Sequence, residues 1–171
     1  MEYNYVENLD RVKSWIDNCD MKISFAITFE IFLLGVIFAN SNLKQALNFE
    51  QGYNWFQIAS IIFFIVTLIF LIISLTQFYN GLKANYKIDK KTELNKNSIL
   101  FFYTIGENDF MDFKKRVSDS TSYGIEHDYL SQIYINSKIC TKKFKFYNRG
   151  LKWLFISIAP LILYNILLAL L

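Results

Sequence analysis

The sequence predicts an all-α membrane protein: three transmembrane helices, with N-terminal and central cytoplasmic helices packing as a helical bundle. Three observations predict it. The run from Trp153 to Leu171, WLFISIAPLILYNILLALL, carries no charge; at about 1.5 Å per residue it is long enough to cross a hydrocarbon core of roughly 30 Å. A second uncharged run, Ile58 to Phe78, exceeds the length of about 18 residues at which a buried soluble helix becomes the poorer reading. Third, the polar segments beside the apolar runs continue a helical period instead of breaking it. Leu130, Ile133, Ser137, Cys140, Phe144, Tyr147 and Leu151 recur at spacings of three and four on the way into the last run.

Composition agrees. The chain is 53% hydrophobic and 18% aromatic, which excludes a disordered protein and exceeds what a soluble domain of this size usually carries. A net charge of +3 is too small to indicate binding to a nucleic acid polymer. Cys19 and Cys140 offer no disulfide framework and fall on predicted cytoplasmic helices, so free thiols in a reducing compartment are expected. The first twenty residues are polar and acidic-leaning, unlike a cleavable signal peptide.

In chain order, residues 1–22 form a cytoplasmic amphipathic helix. Tyr5, Leu9, Val12, Ile16, Cys19 and Ile23 make its seam, while Asp10, Asp17 and Asp20 fall away from it. No turn signal separates it from the first span, residues 23–39. Glu30 stands near the middle of that span, where a carboxylate costs on the order of 3 kcal/mol or more. It is either a pore-facing, gating acid or a protonated acid hydrogen-bonded inside the bundle, with Thr67, Ser74, Tyr164 and Asn165 as candidate neighbours. A short external loop, 40–54, leads to the second span, 55–78, whose start carries interfacial Trp55. The cytoplasmic region, 79–151, is basic at its start. It then shows a short aromatic run, ILFFY, and a T-x-x-E capping box at Thr104 and Glu107 that opens a helix near Ile105. Phe110, Phe113 and Val117 give that helix its expected buried face, and Lys114, Lys115 and Arg116 gather at its end, as the helix dipole favours. Asp119 to Gly124 is a polar break, and the final helix runs into the third span, 152–171. The region 79–152 carries fourteen of the 18 Lys and Arg residues and the loop 40–54 only Lys44. The positive-inside rule therefore puts the N-terminus in the cytoplasm and the C-terminus outside.

The catalytic inventory is poor. His127 is the only histidine, neither cysteine matches a zinc spacing, and no Walker lysine loop or nucleophile elbow is present. No catalytic or metal-binding residue is assigned, and the chain is read as a non-enzyme. The best candidate site is a basic stripe, Lys138, Lys142, Lys145, Arg149 and Lys152. Its membrane-proximal end can reach lipid phosphates. Lys138 stands about 21 Å from Lys152 along the helix, beyond that reach. It either pairs with Asp10, Asp17 or Asp20 or meets an anionic ligand. Trp15, Phe101 and Phe102 can stack a base or serve as bundle core.

Several fragments together resemble the Pycsar-type transmembrane effector family of bacterial anti-phage defence. SWIDNCDMK, residues 14–22, resembles the family's Trp…Asp-x-Lys entry into the first span, with Trp15, Asp20 and Lys22 as matching positions. NSILFF, residues 97–102, resembles its aromatic loop, although Tyr103 stands where a small residue is expected. Asp128, Gln132, Ser137 and Lys143 stand in the D…QI…S…K run before the last span. The resemblance covers nearly the whole chain, and it implies a silent multi-pass protein of the bacterial inner membrane. A cognate cyclase would sense phage and make a cyclic nucleotide, the activating ligand; the effector would then impair membrane integrity and the cell would die or stop growing. With the stripe and the aromatic set, the resemblance gives the candidate ligand residues Trp15, Asp20, Lys22, Phe101, Phe102, Gln132, Lys138, Lys142 and Lys143, with Glu30 as candidate gate. No cofactor beyond that ligand is implied, and three spans per chain suggest a homo-oligomer. The rival reading is a constitutive membrane scaffold or accessory subunit without a nucleotide ligand.

Overall fold

The computed structural model describes residues 4–39, 54–83 and 98–170. Within them the chain forms five helices: α1 Tyr5–Ala39, α2 Trp55–Leu82, α3 Phe102–Gly106, α4 Phe110–Ser118 and α5 Ser122–Ala169. Contacts divide the chain into two compact units. One is built from Met1–Cys19 and Ala84–Lys142, the other from Asp20–Lys83 and Lys143–Leu171. Helices α1 and α5 run unbroken through the points where the units divide. The expected loop 40–54 and the basic stretch after Lys83 lie almost wholly outside the described residues.

The second unit is a three-helix bundle of α2 with the C-terminal parts of α1 and α5. All three helices are long and apolar enough to cross a membrane. Its polarity is inverted relative to a soluble bundle. On α2 the buried face is Gln57, Ser60, Thr67, Leu71, Ser74, Phe78 and Gly81, so most of the helix's polar side chains point inward. Outward stand Ile62, Ile65, Ile69 and Ile72. This is the arrangement a hydrocarbon solvent selects, because an outward hydroxyl there would have no partner beyond its own helix. Ser60 and Thr67 donate back to the carbonyls of Gln57 and Phe63 at 2.8 Å each. Ile37, Leu71 and Leu154 form an apolar centre between the three helices, and Phe64 meets Phe38 and Tyr164 edge-on or tilted. Gly150, a residue of low helix propensity within α5, is a close-approach residue: a Cβ there would lie 2.5 Å from the Phe78 ring. The helix tolerates glycine's lower propensity because the ring occupies the space.

In the first unit the seam of α1 is as its spacing predicts, with Leu9 and Cys19 buried. The seam of α5 is rotated. Asp128, Ser131, Gln132 and Ile135 are buried, while Leu130 is 46% exposed. A three-four repeat assumes 3.5 residues per turn, and a straight helix drifts from it by about 20° per heptad. Three heptads separate Leu151 from Leu130, so the inferred face turns by about 60° over that length. The helix expected to open near Ile105 begins later. Thr104 lies inside the short α3, and α4 starts at Phe110 with Asp109 at its N-cap position. Phe110 is 74% exposed and Val117 is also exposed, so the expected buried face of α4 is absent apart from the half-buried Phe113. With the chain turning at Glu107 and Asn108, no long helix forms to present that face.

Candidate functional site

In the first unit, polar residues at the start of α5 hold the chain ahead of α3. Asp128 Oδ2 accepts the backbone N–H groups of Ile99 at 2.8 Å and Leu100 at 3.2 Å. Ser98 Oγ accepts those of Leu100 at 3.2 Å and Phe101 at 2.9 Å. Gln132 Nε2 donates to Ser98 Oγ at 3.3 Å. Ser98, Asp128 and Gln132 are all buried. A carboxylate shared by two N–H groups turns unpaired loop backbone into a fixed turn, the role such groups play at caps. Beside this turn is a cleft of about 490 Å³, with Lys115, Arg116, Asp119, Ser120, His127 and Asp128 among its walls. Arg116 lines this cleft, and its Nη1 nitrogen is buried away from open space without a hydrogen-bond partner among the described residues.

The candidate ligand residues fall into both units. In the first, Trp15 is 60% exposed, and Lys138 lies over the Tyr134 ring at 5.3 Å from its centroid. Lys138 thus meets an aromatic face and forms no ion pair with Asp10, Asp17 or Asp20 among the described residues. Lys142 is exposed, Phe101 is half-buried, and the side chain of Phe102 lies outside the described residues. In the second, Lys143 is buried; its Nζ donates to Asp20 Oδ1 at 2.6 Å and to the Leu82 carbonyl at 3.3 Å. This ties α1, the end of α2 and α5 at one level. Lys22 lies over the Phe144 ring at 5.8 Å. The structure therefore joins Gln132 to the Phe101 turn through Ser98, and joins Asp20 to Lys143.

Glu30 is fully buried in the second unit. The Ser74 hydroxyl lies 3.0 Å from Glu30 Oε2 and 3.0 Å from the Gly150 carbonyl. Of the neighbours considered from sequence, only Ser74 bonds to it: Thr67 bonds to Phe63, Asn165 to Leu161, and the Tyr164 hydroxyl is unpartnered. Glu30 is not at the centre of the third span. It is level with Gly150, two residues and about 3 Å of helical rise before Lys152. Three buried polar atoms of the spans have no partner among the described residues: Glu30 Oε1, Gln77 Oε1 and Tyr164 OH.

Sequence reasoning missed Ser98, Arg116 and His127 as members of one place. Ser98 had a local signal, since a serine two and three residues ahead of free N–H groups forms a side-chain turn. The meeting of α4's end with α5's start had none.

Three apolar helices with an inverted polar interior and a separate polar helical unit define a multi-pass helical membrane protein. The family profile described as the Pycsar effector protein domain, PycTM, matches residues 4–171. The chain is 37% identical over 175 residues to the Pycsar effector protein GmPycTM of Gulbenkiania mobilis, covering 94% of this chain and 89% of the relative. The chain belongs to the Pycsar effector family. No solved structure matches it.

Proposed function

We propose that this protein is a cyclic-nucleotide-responsive membrane effector of an anti-phage defence system, impairing inner-membrane integrity when a partner cyclase signals infection. The family match over residues 4–171 carries the reading. In it the protein is not an enzyme. The N-terminus and the first unit face the cytoplasm, and the C-terminus faces outward.

The structure supports a mechanism. Helices α1 and α5 each contribute residues to both units without interruption. A ligand that alters the first unit therefore acts on helices that also build the bundle. Moving a two-state equilibrium from about 1:99 to 99:1 takes roughly 5.5 kcal/mol of preference. Each unpartnered buried polar atom costs about 1–3 kcal/mol. Glu30 Oε1, Gln77 Oε1 and Tyr164 OH are three such atoms among the described residues of the bundle. In this reading, water or a neighbouring subunit that reaches them favours the active state. Glu30, tied to Ser74 and through it to Gly150, is the gate in this reading. The apolar outer faces of the spans suit a homo-oligomer in the bilayer.

Expression beside candidate cyclic nucleotides tests the proposal. Depolarisation and growth arrest should appear only with the activating nucleotide, and Glu30→Gln should change dye leakage. Silence with every nucleotide would favour a constitutive scaffold. Unchanged leakage in Glu30→Gln would make Glu30 a packing residue.

A further inference from the structure

We propose that the outer face of α5 in the second unit holds the headgroup of an anionic phospholipid, with Lys145, Arg149 and Lys152 as its cations. The proposal stands apart from the nucleotide-responsive reading.

Two sets of contacts mark two levels in the three-helix bundle. At the first, Lys143 meets Asp20 and the Leu82 carbonyl. At the second, Ser74 meets Glu30 and the Gly150 carbonyl. Leu82 and Ser74 are eight residues apart on α2, about 12 Å of helical rise. From the first level to just past the second, α1 and α2 are apolar on the outside. Phe25, Phe29 and Phe32 of α1 and Ile72 of α2 are all exposed. The one charge from Ile23 to Ala39 is Glu30, which is buried, and α2 has none.

Helix α5 differs at the same depth. Lys145, Arg149 and Lys152 are exposed and recur at spacings of four and three, so they stand in one row. Arg149 and Lys152 flank Gly150 and therefore belong to the second level. Lys152 is nine residues beyond Lys143, about 14 Å of rise. A lysine can bend back toward water, but four methylenes do not span that distance. A charge left unpaired among apolar surfaces is expensive, so it needs a partner where it stands.

The protein supplies none. The acidic side chains among the described residues of the second unit are Asp20 and Glu30. Asp20 is paired with Lys143 at the first level, and Glu30 is 0% exposed. None of the three cations forms an ion pair among the described residues. A second copy inserted the same way brings the same two acids at the same levels, so it cannot neutralise the row either. The remaining anion at a bilayer edge is the lipid phosphate. Three cations within about 10 Å favour a headgroup of net negative charge over a zwitterionic one.

The uncharged lengths agree. Helix α2 offers 28 uncharged residues, about 42 Å, against a hydrocarbon core of roughly 30 Å. On α5 the stretch 153–169 offers about 26 Å. The hydrocarbon edge thus lies deeper against α5 than against α2, which thins the leaflet locally. Beyond Lys152, Phe155, Leu163 and Ile166 are exposed and give the acyl chains an apolar track.

Native mass spectrometry of the full chain in detergent, with phosphatidylglycerol or phosphatidylcholine added, tests this. Wild-type protein should retain phosphatidylglycerol in preference. Arg149→Gln and Lys152→Gln should each weaken that binding roughly fivefold, the loss expected for about 1 kcal/mol per cation, and leave phosphatidylcholine unaffected. Arg149→Lys should keep most of the preference. Lys83→Gln removes the same charge at the end of α2, where the lysine lies over the Tyr79 ring, and should leave binding unchanged. Circular dichroism controls for folding. Equal retention of the two lipids by wild-type protein would overturn the site. Equal loss in Lys83→Gln and Arg149→Gln would overturn it too, by reducing the row to general surface charge. Displacement of phosphatidylglycerol by an equal concentration of inorganic phosphate would overturn the lipid assignment.

Discussion

Gly150→Ala adds one methyl group where α5 has no space for it. The new Cβ would lie 2.5, 2.6 and 2.9 Å from three carbons of the Phe78 ring, well inside the carbon contact distance of about 3.5–4.0 Å. Phe78 is 0% exposed, and its ring is also packed against Tyr147, with centroids 6.4 Å apart, so it has no open side to swing into. Overpacking of this kind costs about 1–3 kcal/mol. Against it stands the helix preference of alanine over glycine, about 1 kcal/mol of opposite sign. A single measurement therefore confounds two effects of similar size. Gly35→Ala separates them, because a Cβ at Gly35 meets nothing within 4 Å. The difference between the two variants cancels propensity and leaves the contact, about 1–3 kcal/mol against Gly150→Ala. Unfolding in mixed detergent micelles, followed by circular dichroism, measures it. Phe78→Leu combined with Gly150→Ala should recover part of the loss. Equal stability of Gly150→Ala and Gly35→Ala would refute the close-approach account.

Other expectations follow from the polar contacts. Lys143→Met should lower stability by about 1–3 kcal/mol by leaving the partly exposed Asp20 carboxylate unpaired. The double variant Asp20→Asn/Lys143→Met should show a coupling of about 0.5–3 kcal/mol, and strict additivity would mean that the pair does not act as a unit. Ser74→Ala strips hydrogen bonding from Glu30 and the Gly150 carbonyl together, so a loss of about 1–3 kcal/mol is expected in the same micelle assay. Asp128→Ala should accelerate hydrogen exchange at Ile99 and Leu100, the two amides it accepts, and Asp128→Asn should do so less; unchanged exchange would show that the turn holds without it. Trp15→Ala, at a 60% exposed side chain, should change stability by no more than about 0.5 kcal/mol, so any loss of response in that variant reports recognition.

The spans were legible because their signal is length and missing charge, which needs no tertiary information. The continuity of α1 and α5 was legible for a related reason: no turn residues interrupt either seam. The α1 seam holds at Leu9, Cys19 and Ile23 because drift is small over that length. On α5 the same reasoning drifts, and the true face carries Asp128, Ser131 and Gln132, polar residues that hydropathy discards. They are buried because they serve local backbone: Asp128 caps the turn before α3, and Ser131 donates to the Asp128 carbonyl at 2.8 Å. The Lys143–Asp20 pair joins residues 123 apart in sequence, which no local spacing rule connects. Counting along one helix does not fix the level of Glu30 against the others, and its match to Gly150 through Ser74 has no sequence signal.

The outer surface of α2 has a further consequence. Ile62, Ile65, Ile69 and Ile72 face away from the bundle, four copies of one side chain at helical spacing. Such a stripe offers a neighbouring molecule grip but no landmark: nothing on it distinguishes one sliding or turning position from the next. Copies of this chain that met along α2 would be free to shift past each other at little energetic penalty. In the homo-oligomer proposed above, the contacts that set register would therefore lie on another helix or in the polar unit.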